Sequence, residues 1–312
     1  MRAQTKIWCD VVTVRRPALT SDCQEIPSPA LVPFSCPRQR SEHRYYMSRA
    51  RVSKRAQLEA SKGGAATWAK ITALGRQPGA INLGQGFPDF ECSQEAKRGA
   101  VEALERGASD QYSPIQGTNR LVNAISKLYK RMYPAAPALD PATDVCVMSS
   151  GTEALFCSVM GMLDPGDEVV FFEPFFPWYL PVVRLSGGVA RVVTLHPPSF
   201  DLISVEEKVR AAFSDKTRIC VFNTPHNPTG HVASREELEL VAELCKQYDV
   251  VCISDEVYEA NVYEGQHLHV CEVEGMWDRT LTLGSASKLL SLTGWRVGWV
   301  CLMLMIGVIM MP

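Results

Sequence analysis

Lys288 lies in Gly284-Ser285-Ala286-Ser287-Lys288, directly behind an apolar, strand-like run at 280–283, and Gly294-Trp295-Arg296 follows it. A lysine at the C-terminal end of a strand, among small hydroxyl residues and with an arginine close by, has a specific chemical use. Its amine can be partly desolvated and poised to form a Schiff base with an aldehyde cofactor. Small neighbours let a bulky group approach the backbone, and the hydroxyls and Arg296 can hold a phosphate. A lone lysine in such a loop reads as a solvated surface charge. Other segments of this chain supply the parts that a lone lysine lacks.

Ser150-Gly151-Thr152 opens a helical stretch, and a helix N-terminus with glycine and hydroxyl residues offers unpaired N–H groups and a positive dipole end to a phosphate. Any capped helix has such residues, so this signal is weak alone. Glu173-Pro174-Phe175-Phe176-Pro177-Trp178-Tyr179 follows a strand; one of its rings can stack on a planar cofactor while the others read as core or helix-start aromatics. Asn223-Thr224-Pro225-His226-Asn227-Pro228-Thr229-Gly230 makes a rigid loop after another strand, from which Asn227 can donate its amide to a phenolate oxygen. Ser254-Asp255-Glu256-Val257-Tyr258 ends a further strand. A carboxylate buried there needs a cationic partner, and the protonated nitrogen of a pyridine ring is one; Tyr258 can reach the same oxygen as Asn227. Earlier, Asn82-Leu83-Gly84-Gln85-Gly86-Phe87-Pro88-Asp89-Phe90 makes a tight loop whose backbone can touch a substrate. Together these segments outline a pyridoxal 5′-phosphate (PLP) site.

The elements that must position these residues alternate from about residue 116 onward. Helices are predicted at 121–132, 152–163, 204–213 and from Ser234 to Tyr248, the last opened by a capping box, Ser234-x-x-Glu237. Strands are predicted at 168–172, 189–195, 218–222, 250–254 and 280–283. Strands of about five residues alternating with helices imply an α/β fold, a mainly parallel sheet sandwiched by helices. Ligands in such sheets bind beyond the carboxyl ends of the strands, where the polar motifs fall.

The 312 residues carry a net charge of −2, which implies no nucleic-acid partner. The charge is uneven: residues 1–55 hold eleven lysines and arginines against four acids. This segment is rich in Arg, Ser and Pro and lacks a sustained period, so residues 1–62 are expected to form a basic, disordered leader. It fits a transit peptide or a start upstream of a true one at Met47, and leaves a cytoplasmic, mitochondrial or plastid location open. The eleven cysteines have no paired spacing, which argues against a zinc site or a disulfide framework, and no metal ligand is expected. The apolar run at 299–311 is shorter than the roughly 20 residues that span a bilayer; it reads as a buried strand passing into an atypical tail at 301–312, ahead of a membrane anchor.

From Trp68 to Val300 these strings resemble, in order and spacing, the class I aminotransferases of PLP fold type I. Asn82–Phe90, Glu173–Phe176, Asn223–Gly230, Ser254–Glu259 and Gly284–Lys288 with Thr293–Trp299 are most similar to the kynurenine aminotransferase, glutamine transaminase K and methionine aminotransferase group. The resemblance implies 63–115 as an N-terminal arm and part of a small domain, and 116–300 as the PLP-binding large domain. It implies Lys288 as the Schiff-base lysine and proton carrier, Asp255 on the pyridine nitrogen, Asn227 and Tyr258 on the ring phenolate, and Phe176 stacked on the ring. Gly151, Thr152, Ser285 and Arg296 would hold the phosphate, with Tyr112 reaching that of the neighbouring subunit in a homodimer. Gly86, Trp68 and Asn227 would line the substrate pocket. The implied reaction moves an amino group from an L-amino acid of kynurenine, glutamine, methionine or aromatic type to a 2-oxo acid. Cysteine-conjugate β-elimination is an alternative use of the same site. The resemblance also implies roughly a hundred further residues, which would complete the small domain and supply an arginine for the substrate carboxylate. A C-terminally truncated member is therefore expected, and a non-catalytic, PLP-binding variant is a second alternative.

Overall fold

The computed structural model describes residues 52–302, except 62, 63, 87, 108, 109 and 135. The core is a seven-stranded sheet built from β1 (Val145–Met148), β2 (Glu168–Glu173), β3 (Val189–Thr194), β4 (Thr217–Asn223), β5 (Val251–Asp255), β6 (Thr280–Ser285) and β7 (Gly298–Leu302). Its strand order is β1-β7-β6-β5-β4-β2-β3. Pairs from β3 to β6 are parallel, and β7 runs antiparallel to both β6 and β1. The expected mainly parallel sheet is thus present, with one reversed strand inserted near its edge. Strands β3 and β4 leave β2 on opposite sides, which creates the kind of switch point where α/β sheets bind ligands.

Period-2 alternation sends neighbouring residues to opposite faces, and the sheet is apolar on both. Val169, Phe171, Ile219, Val221 and Ile253 pack against α5 (Gly151–Met162) and α6 (Tyr179–Ser186). Val170, Phe172, Cys220, Phe222 and Cys252 pack against α7 (Glu206–Ala212) and α8 (Arg235–Gln247). Fully burying each large apolar side chain contributes roughly 1.5–3 kcal/mol, so both faces hold their helices firmly. A third cluster joins α4 (Asn119–Met132) to Val145, Trp299 and Cys301.

Several expected elements shift at their ends for identifiable reasons. The helix expected at 204–213 begins as a 3₁₀ turn at Ile203–Val205 before α7. The predicted capping box is present: Ser234 accepts from the Glu237 N–H, and the Glu237 carboxylate accepts from the Ser234 N–H at 2.7 Å. Residues 54–61, placed in the expected leader, form helix α1 (Lys54–Ser61), where the Arg55 guanidinium donates to the Leu185 carbonyl at 2.5 Å. Helices α2 (Gly64–Gly75) and α3 (Gln94–Glu105) precede the alternating region. The short helix α9 (Ala286–Leu289) carries Lys288. Residues 1–51 and 303–312, and with them most of the expected leader and tail, lie outside the described residues. No helix among the described residues is long and apolar enough to cross a membrane.

Candidate active site

The carboxyl ends of β4, β5 and β6 carry the chemistry because the sheet register puts them side by side. Asn223 pairs with Asp255, and Asp255 with Leu283, one residue before Gly284. The three ends, the start of α5 and the loop at 82–86 enclose a cleft of about 1060 Å³. Lys288, Asp255, Tyr258 and Asn227 line it, as do Gly151, Thr152, Ser285 and Arg296. Phe176, Trp68 and Gly86 complete the set. Tyr112 alone among the expected site residues stands outside the cleft, fully exposed to solvent.

Two close approaches make this convergence possible. A Cβ on Gly298 would lie 2.4 Å from the Gly151 nitrogen and 2.4 Å from the Ser150 carbonyl carbon. Only a glycine at this position of β7 lets the turn into α5 sit against the sheet. A Cβ on Gly284 would lie 2.1 Å from the indole nitrogen of Trp299, which is itself fixed by donating to the Tyr129 hydroxyl at 3.0 Å. Ser150 takes φ 89°, ψ 164°, a conformation that costs a non-glycine residue on the order of 1–3 kcal/mol and that collects at ligand sites. No side chain caps α5 at Ser150, so the first-turn N–H groups are left for a ligand.

The Lys288 ammonium donates to the Gly86 carbonyl and stands 5.5 Å from the centre of the Tyr258 ring. Burial, and then the charge of Arg296, push its pKa below the usual lysine value. Arg296 leaves a left-handed turn at φ 55° and donates to the Thr293 carbonyl at 3.1 Å. Asp255 is buried and accepts from the Tyr179 hydroxyl at 2.6 Å and from the Val257 N–H at 3.4 Å. Burial raises its pKa against those two hydrogen bonds. Among the described residues it has no lysine, arginine or histidine partner in an ion pair. Burial, and then the Asp255 charge, raise the Tyr258 phenol as well.

Three residues of the site were not singled out individually in the sequence. Tyr179 is buried at 2% exposure with its hydroxyl on Asp255, and its ring meets Phe176 edge-on at 5.7 Å between centroids. Asn223 donates to the Asp255 carbonyl at 2.7 Å and accepts from the Asn227 N–H at 2.7 Å, which ties the two strand-end loops together. Ser287 lines the cleft with a buried hydroxyl that has no hydrogen-bond partner among the described residues. All three sit inside the quoted motifs; what the sequence lacks is the register that aims them.

These donors fit PLP. A buried carboxylate lacking a cation suits a protonated pyridine nitrogen, and an amine of lowered basicity suits an aldehyde. An uncapped helix start beside Ser285, the unpartnered Ser287 and Arg296 suits a phosphate. Arg296 is the only arginine among the described residues lining the cleft, so that lining offers one guanidinium.

Comparison with known proteins finds similarity to aminotransferases. The family model described as aminotransferase class I and II matches residues 78–306. Kynurenine–oxoglutarate transaminase 3 of Rattus norvegicus is 40% identical over 241 residues, covering 74% of this chain and 53% of the relative. Kynurenine–oxoglutarate transaminase 1 of Homo sapiens is 40% identical over 250 residues, covering 75% and 57%. The chain thus spans about half the length of these curated relatives. Among solved structures, N-succinyldiaminopimelate aminotransferase of Mycobacterium tuberculosis superposes with a TM-score of 0.74 at 38% identity, over 81% of this chain and 64% of that one. An Escherichia coli protein with a methionine aminotransferase function superposes with 0.71 at 32% identity, over 75% and 61%.

Proposed function

The chain belongs to the class I and II aminotransferase family, whose cofactor is PLP, and from that premise we propose that its cleft transfers an amino group between an L-amino acid and a 2-oxo acid. One observation carries the proposal: Lys288, Asp255 and the open N-terminus of α5 face one cleft from three different elements. Bound there, PLP supplies an aldehyde that takes up the amine and a pyridine ring that accepts electrons from the substrate Cα. Asp255 holds the proton on the ring nitrogen, and Tyr179 holds Asp255. Asn227 and Tyr258 bind the phenolate, and Phe176 lies against the ring. The α5 N–H groups with Thr152, Ser285 and Arg296 bind the phosphate. Lys288 provides the amine that anchors the cofactor and then carries the proton to and from Cα, a task that its lowered basicity favours.

The substrate side of the cleft is walled by Trp68, Ile71, Leu83 and Trp178. Such a wall suits kynurenine, glutamine, methionine or an aromatic amino acid better than a second carboxylate. The names of the relatives, kynurenine–oxoglutarate transaminases and a methionine aminotransferase, support the same choice. Two copies of the chain share their sites in this proposal. A second hollow of about 500 Å³ opens behind Ser150, Thr152 and Arg296, a route by which Tyr112 of another copy can reach the phosphate. Gel filtration with light scattering should then give a dimer.

The direct test is to add PLP to the purified chain, trap with borohydride and map the modified peptide. Label on Lys288, lost in Lys288→Ala, is expected, together with a visible cofactor band that bleaches when kynurenine, glutamine or methionine is added. An undiminished adduct in Lys288→Ala would overturn the site. A trapped adduct on Lys288 with no bleaching by any amino acid would overturn the transfer activity and leave a PLP-binding protein.

A further inference from the structure

Outside the lining of the cleft, at the end of β5, lies a second group of functional side chains. Glu256 follows Asp255 directly but does not line the cleft; it is completely buried. One of its oxygens, Oε2, lies 3.0 Å from His267 Nε2 and also contacts His269 Nδ1. The other, Oε1, accepts from the Ser254 hydroxyl at 2.6 Å and from the Val270 N–H at 3.4 Å. The two histidine side chains are each 5% exposed. One donor atom from each of the three residues lies within 4.8 Å of the other two.

We propose that Glu256, His267 and His269 form a binding site for a zinc-class divalent cation. The donor set is two imidazoles and one carboxylate, which suits zinc and its first-row neighbours and disfavours magnesium and calcium, whose sites are built from oxygen. Spacing two residues apart on an extended segment sends both rings to the same side, where Glu256 waits. A tetrahedral ion bonded at about 2.1 Å to each donor holds them roughly 3.4 Å apart, a separation within the compass of this cluster. The support that metal-bound carboxylates need is already built, because Ser254 and Val270 fix the oxygen of Glu256 that faces away from the histidines. The ligand atom of His267 would be Nε2, which faces Glu256; its Nδ1 is buried with no hydrogen-bond partner among the described residues and takes no part in the site.

The site would act as a clip. It joins the end of β5 to the segment that returns toward β6, one residue from the carboxylate that faces the cofactor cleft. Each ring binds the cation through a nitrogen lone pair, and no oxidation is involved. The cysteine pattern gave no hint of it, since the ligands are histidines brought to a glutamate in another motif. The inference does not depend on the transaminase proposal and could stand if that one failed.

The test uses the full chain, freed of metal with a chelator, dialysed, and given one equivalent of Zn²⁺ or of Mg²⁺. Expected are about one zinc per chain retained through gel filtration, a higher thermal midpoint with Zn²⁺ and no change with Mg²⁺. His269→Ala should lower zinc affinity at least tenfold, while Cys271→Ser should leave it unchanged. Because a variant can fail to fold, Co²⁺ is added to the unaltered chain as well. A tetrahedral cobalt spectrum without thiolate charge-transfer bands supports the site. Zinc that washes off, or cobalt bound through thiolate, overturns it.

Discussion

At the scale of single residues, the site rests on a few atoms whose partners the fold has chosen. Tyr179 is the clearest case. Its hydroxyl meets Asp255 at 2.6 Å in a place where both groups are buried, so it orients the carboxylate without reaching the cleft chemistry itself. Tyr179→Phe removes one hydrogen bond to a group that is charged when the cofactor is bound, a loss of about 1.5–3 kcal/mol. PLP affinity, read by fluorescence titration of the apo chain, is expected to fall by roughly 10- to 100-fold, while the borohydride-trapped adduct still forms on Lys288 at saturating PLP. Unchanged affinity would mean that Tyr179 is only core. The contrast with Lys288 shows what sequence can reveal. Lys288 is legible because its neighbours are small and polar and its strand is apolar. Tyr179 is not, because four aromatics in seven residues look alike until α6 turns one of them toward β5.

At the scale of elements, α6 and α9 were not expected, whereas most strands and helices from residue 116 onward are readable because their periods and caps are local. The capping box at Ser234 and Glu237 is the best example, present at the predicted residues. β1 and β7 are different. β1 is only four residues long, too short for a pattern, and β7 takes its direction from pairing with β6, which no local signal encodes. Yet β7 positions the proposed phosphate cradle, since Gly298 lies against Ser150 and Gly151. Gly298→Ala puts a methyl group 2.4 Å from backbone atoms that have no side chain to rotate away. The turn into α5 must shift, and overpacking of this kind costs about 1–3 kcal/mol. The expected result is a lowered thermal midpoint and PLP affinity reduced more than by Tyr179→Phe, because the N–H groups of α5 move as a unit. A variant with normal stability and affinity would show that the close approach of β7 to α5 is dispensable.

At the scale of the whole molecule, the sheet order brings ionisable groups together in pairs whose charges oppose each other across pH. Glu256 and Glu259 lie three residues apart in one motif, yet their environments diverge because the segment at 267–270 brings two histidines to Glu256 while Tyr133, just past α4, reaches Glu259. Burial disfavours an ionised Glu256, but the rings of His269 and His267 overcome this and hold its carboxyl far below the usual range. Its contribution to stability is present above about pH 4.5 and is lost in acid. Glu259 behaves in the opposite way. Burial, with the nearby Glu256 charge, raises its pKa to about 8 against the hydrogen bond that Tyr133 makes to it at 2.6 Å. The unfolded chain gives up this proton near 4.5 while the folded one keeps it to about 8. Folding is therefore not penalised below pH 4.5, and stability falls as pH rises from there, with the loss complete above pH 8. Glu259→Gln keeps the shape and the acceptor for Tyr133 but cannot ionise. With chelator present throughout, so that no cation enters at Glu256, its denaturant midpoint should match the parent near pH 4. At pH 8.5 it should exceed the parent by an amount equivalent to on the order of a few kcal/mol. If the two proteins lose stability in parallel from pH 4 to pH 8.5, the alkaline limb belongs to another group and Glu259 is not held protonated in the fold.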